Sequence, residues 1–102
     1  MEERRRAQRL RTNINVRWES LKTQGAGQVC DLSATGGFVL SGGEVNQGEL
    51  LQMRLIFEDE IVGLWGQVIY AVREMGFAVR FILTDDDGKD LSALLDRLSA
   101  AK

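Results

Sequence analysis

Six arginines fall within the first 17 residues (Arg4, Arg5, Arg6, Arg9, Arg11 and Arg17), and 22 residues after Arg9 the chain reads Asp31-Leu32-Ser33-Ala34-Thr35-Gly36. A guanidinium stays charged, offers five donors in a planar fork, and pairs with phosphate oxygens or with the O6/N7 edge of guanine. Its flat face also stacks on bases. Arg5 and Arg9 are four apart, so they share a side whether the arm is helical or extended, and both can converge on one ligand. The ionised Asp31 carboxylate only accepts hydrogen bonds and suits the N1–H and N2–H donors of a guanine. Ser33 adds a short donor and acceptor two residues on. Gly36 permits a positive φ and puts no Cβ in the way of a flat base. A cationic arm beside an acidic acceptor is what a guanine-containing phosphate ligand requires. Each group also has a plainer use: a solvated tail for the arm, an Asx turn for Asp31 and Ser33, and an ordinary turn at Gly36-Gly37.

These residues need a scaffold, and the rest of the chain describes one. Its 102 residues make one domain with a modest core, and 44% hydrophobic with 27% charged residues is ordinary globular composition. The net charge of −2 hides a split. Residues 1–17 carry six arginines against two glutamates, or +4, and the remaining 85 residues carry seven basic against thirteen acidic side chains, or −6. A basic arm on an acidic body fits an anionic partner at the arm. Histidine is absent, which removes Ser-His-Asp and Cys-His pairs and the commonest metal ligand. The single cysteine, Cys30, forms no internal disulfide and is expected to be a small buried strand residue. No apolar run approaches the roughly 18–20 residues of a membrane span, and the N-terminus does not resemble a secretory signal, so a cytoplasmic protein is expected.

Ile14, Val16 and Trp18 alternate with polar residues, as a half-buried strand does. Gly25-Ala26-Gly27 reads as a turn before a strand through Gln28-Val29-Cys30, and Thr35-Gly36-Gly37 as a turn before Phe38-Val39-Leu40. Leu51, Met53, Leu55 and Phe57 form the clearest strand. Glu58-Asp59-Glu60 reads as a hairpin loop into Ile61–Val72, with Val62, Leu64, Val68 and Tyr70 on one face, and Phe77, Val79 and Phe81 close the series. Six such strands predict a mainly β protein, an antiparallel barrel closed or nearly so. Leu91, Leu94, Leu95 and Leu98 predict one helix over about 88–101, with Asp86, Asp87 and Asp90 near its start. Trp18 and Trp65 read as core or barrel-rim residues. Asp85-Asp86-Asp87-Gly88 lacks the glycine and glutamate placement of a calcium loop, so no metal site is expected. Gly25-Ala26-Gly27-Gln28-Val29-Cys30 ends in Cys and is discarded as a nucleotide fingerprint.

RRxxxR at Arg4, Arg5 and Arg9, followed by DxSxxG at Asp31, Ser33 and Gly36 and then by a run of strands, resembles the PilZ domain, a bacterial receptor module for cyclic di-GMP. The resemblance covers nearly the whole chain, including Gly76–Phe81 as the last barrel strand. It implies a flexible basic arm over 1–13 and a six-stranded PilZ barrel with its helix over 14–102. It implies that Arg5 and Arg9 clamp phosphates and guanine with Arg4 assisting, that Asp31 and Ser33 read a guanine edge, and that Gly36 holds the turn open. Gly37 and Tyr70 are further candidates. An arginine just before RxxxR, as at Arg4, leans in the family toward a mutually intercalated ligand pair. The function implied is a non-enzymatic cyclic di-GMP receptor without cofactor, whose ordered arm presents a new surface to an effector protein.

Three other classes compete. A nucleotide-independent interaction module of pilus or flagellar machinery is disfavoured because both motifs are kept. A DNA or RNA binder is disfavoured because the body is acidic and aromatics are only 7%. An enzyme is disfavoured because no nucleophile–base pair is in view.

Overall fold

The computed structural model describes residues 9–100. Six strands, β1 (Leu10–Glu19), β2 (Gln24–Leu32), β3 (Gly36–Leu40), β4 (Leu50–Phe57), β5 (Glu60–Val72) and β6 (Gly76–Ile82), precede one helix, α1 (Asp85–Ala100). The strands form a closed antiparallel barrel in the order β1-β2-β3-β6-β5-β4. Closure leaves no strand edge unpaired. The inward positions of the period-two pattern fill the interior. Val16, Val29, Leu32, Val39, Leu51, Met53, Leu55, Val68 and Phe77 are fully buried, and the Phe77 ring meets Trp18 edge-on at 5.4 Å.

The helix joins the same core through Leu91 and Leu94, with Leu95 and Leu98 packed beside them. It begins at Asp85, three residues before the expected start, because Thr84 caps it. The Thr84 hydroxyl accepts the Asp87 N–H at 3.1 Å, and the Asp87 carboxylate accepts the Thr84 N–H at 3.5 Å. Near its other end Arg97 donates to Glu58 at 2.8 Å and to Glu60, with its guanidinium 5.1 Å from the Phe57 ring centre. The β4–β5 hairpin is thereby tied to the helix, and Glu58 sits in the left-handed region (φ 57°) to make the turn.

Several expected boundaries move. Strand β1 starts at Leu10, within the segment expected to be the arm, and Leu10 and Arg11 pair with Leu32 and Asp31 of β2. Gly25-Ala26-Gly27 is not a turn but part of β2; the chain reverses at Ser20–Thr23, closed by a Ser20 N–H to Thr23 carbonyl bond of 2.7 Å. These glycines serve close approach. A Cβ on Gly25 would lie 2.5 Å from the Trp18 ring, one on Gly43 2.4 Å from it, and one on Gly27 2.1 Å from the Leu40 carbonyl. Gly36 and Gly37 likewise belong to β3, and the reversal before them is Ala34-Thr35.

Candidate functional site

Strand β2 shifts register between Val29 and Asp31, β1 between Arg11 and Ile14, and β5 between Val68 and Tyr70. Burial keeps its alternation through the shift in β1, but in β2 and β5 the inserted residue changes the face of the side chains that follow. In β2 the bulge at Cys30 turns Asp31 outward opposite Phe38 and sends Leu32 into the core. In β5 the bulge at Ile69 lifts Tyr70 off the interior face it was expected to share with Val62, Leu64 and Val68. Tyr70 is 52% exposed and pairs with Ala78. Cys30, expected buried, is only partly buried, because it follows the inward-facing Val29 and alternation along β2 turns it outward.

Both displaced residues reach one place. A cavity of about 370 Å³ lies on the outer face of the barrel across β2, β3, β6 and β5. Arg9, Cys30 and Asp31 line one side; Thr35, Gly36, Gly37 and Phe38 form the middle. Ile69, Tyr70, Ala78, Val79 and Arg80 complete it. The Tyr70 and Phe38 rings lie 6.3 Å apart between centres, inclined by 43°.

Asp31 holds the polar end. One carboxylate oxygen accepts the Arg9 guanidinium at 2.8 Å; the other is buried and accepts no hydrogen bond from any described residue. A buried acceptor without a donor costs about 1–3 kcal/mol, so an oxygen left this way beside a cavity is suited to a donor brought by a ligand.

Ser33, 3% exposed, points elsewhere. Its hydroxyl lies 3.2 Å from the Gly36 carbonyl and accepts the Thr35 and Gly36 N–H groups at 3.2 and 3.3 Å. The oxygen expected to read a guanine edge thus binds its own turn. Gly36 does not use a positive φ; among the described residues the only glycine that does is Gly48 (φ 91°). Its missing Cβ makes room for β6 instead, since a Cβ there would lie 2.2 Å from the Val79 carbonyl. Arg4 and Arg5 lie outside the described residues.

The PilZ domain sequence profile matches residues 3–100. The chain belongs to the PilZ family. This is a family of cyclic di-GMP-binding and adaptor domains, and the closed barrel with one C-terminal helix is its fold. Among solved structures the chain is similar to the PilZ domain of CeSA from a cellulose-synthesizing bacterium, with TM-score 0.76, 18% identity, and 91% of this chain and 99% of that one covered. It is similar to the Bacillus subtilis inhibitor of motility MotI/DgrA at TM-score 0.75 and 17% identity, covering 97% of this chain and 52% of that one. An uncharacterized Legionella protein matches at TM-score 0.61 and 18% identity, over 92% of this chain and 96% of that one. No curated protein matches in sequence.

Phe38, Ile69 and Arg80 also line the cavity of this PilZ domain, and no sequence motif marks them. Only the strand order brings them beside Asp31, and no spacing along the chain carries that information. Among the described residues no cluster of Cys, Asp and Glu is arranged to hold a metal, and no helix is long and apolar enough to cross a membrane.

Proposed function

We propose that this PilZ domain is a non-enzymatic receptor for cyclic di-GMP, acting in the cytoplasm and relaying the level of the nucleotide to an effector protein. The observation that supports this most is that Asp31 of the DxSxxG motif lines the cavity and keeps one carboxylate oxygen buried with no donor among the described residues. Guanine brings two adjacent donors, N1–H and N2–H, to such a carboxylate. Tyr70 and Phe38 offer apolar ring surface to the base.

Arg9, already beside Asp31, meets a phosphate or the guanine O6/N7 edge, and Arg4 and Arg5 close over the ligand from the arm. Ser33 contributes by fixing the turn that aims Asp31. Ordering the arm costs on the order of several kcal/mol, which charge-assisted contacts to the two phosphates must offset. The ordered arm is then the new surface offered to the effector.

Isothermal titration of cyclic di-GMP into the full chain, with GTP as a control, tests this. Saturable binding that weakens with salt is expected, with affinity lowered at least about tenfold in Arg9→Ala. Unchanged affinity in Arg9→Ala would remove the arm from the site. Absence of binding to the unaltered chain would leave a nucleotide-independent interaction module as the better reading.

A further inference from the structure

Resting on the cyclic di-GMP reading, we propose that Arg80, outside both arginine and DxSxxG motifs, is a phosphate-binding residue forming the far wall of the site. Arg80 projects outward from β6, pairs with Gly36 in the ladder, and lines the cavity. It is tethered: its guanidinium donates to the Gln67 side-chain oxygen at 3.1 Å, and the Gln67 amide donates to the Gly48 carbonyl at 3.3 Å. The tether limits the side-chain freedom lost when a ligand binds.

Charge assigns its partner. The charged residues lining the described cavity are Arg9, Asp31 and Arg80. Asp31 faces Arg9 at 2.8 Å, whereas the tether of Arg80 is a neutral amide. Among the described residues, positive charge not offset by a carboxylate therefore sits at the β6 end, while the acceptor that suits guanine donors sits at the β2 end. Strands β2 and β6 are separated by β3, and Arg80 lies two residues along from the level of Asp31. Strand spacing and rise place the two backbones about 12 Å apart. That is roughly the reach of a guanine with its ribose and phosphate. A ligand whose base is read at Asp31 then delivers a phosphate to Arg80, and a dianionic dinucleotide is distinguished from a neutral guanine compound at this wall.

Titration of cyclic di-GMP into the full chain and into its Arg80→Gln and Arg80→Lys variants, with melting curves for each, decides the matter. Arg80 is exposed, so all three are expected to melt alike. Arg80→Gln is expected to bind about tenfold more weakly or worse, with a shallower dependence on salt, and Arg80→Lys to recover most of the loss, since a phosphate accepts a point charge. Wild-type affinity and salt dependence in Arg80→Gln, while Arg9→Ala binds poorly, would overturn the assignment of Arg80 and leave the receptor reading standing. Failure of the unaltered chain to bind would overturn both.

Discussion

Asp31→Ala is expected to lower cyclic di-GMP affinity by at least about a hundredfold while leaving the free protein as stable as before, or more so. The two effects come from opposite ends of one carboxylate. The oxygen facing Arg9 is in an ion pair whose cation is 67% exposed, and such pairs contribute about 0–1 kcal/mol. The other oxygen is buried without a donor from any described residue, and removing it relieves a penalty of about 1–3 kcal/mol. In the complex the balance reverses, because guanine N1–H and N2–H would lose their acceptor and meet an apolar wall. Calorimetric titration paired with urea denaturation separates these contributions. A loss of stability comparable to the loss of binding would show that Asp31 holds the bulge together rather than reading the ligand.

Gly36→Ala is expected to destabilise the ligand-free protein by about 2–3 kcal/mol, a large share of the roughly 5–15 kcal/mol that keeps a domain folded. The added Cβ would lie 2.2 Å from the Val79 carbonyl and 3.2 Å from the Arg80 Cα. Those are backbone atoms of the neighbouring strand, and in a closed barrel β3 cannot move off β6 without disturbing β2 and β5. Urea denaturation without nucleotide measures this directly. Stability within about 0.5 kcal/mol of wild type would mean that the glycine serves only the approach of a ligand.

The strands and the helix were legible because their signals are periodic and local. Alternation from Ile14 to Trp18 and from Leu51 to Phe57, and the leucines at 91, 94, 95 and 98, each report one buried face. The site was legible where it rests on residue type: the chemistry of arginine and aspartate is readable without coordinates. What could not be read was orientation. A β-bulge leaves no mark in residue types, so a strict period of two puts Tyr70 on the face of Val62, Leu64 and Val68. Cys30 reads as buried from its small size and apolar neighbours, which ignores its place in the alternation. Glycine was ambiguous for a related reason. Turns and close strand contacts both select it, so Gly25, Gly27 and Gly36 read as turn residues although each makes room for a neighbour. Ser33 carries a hydroxyl that can serve a ligand or its own turn, and only the geometry of Gly36 and Thr35 shows which bonds it makes here.

The central claim is that a carboxylate short of donors reads guanine in a cyclic dinucleotide. Its most direct test compares cyclic di-GMP with cyclic di-AMP in calorimetric titration of the full chain. The two ligands share ring, charge and phosphates, but adenine offers an acceptor at N1 and lacks the N2 amino group. Binding of cyclic di-GMP at least about a hundredfold tighter is predicted, because the Asp31 oxygen is satisfied by one base and opposed by the other. Equal affinity for the two, or heat from neither, would contradict it.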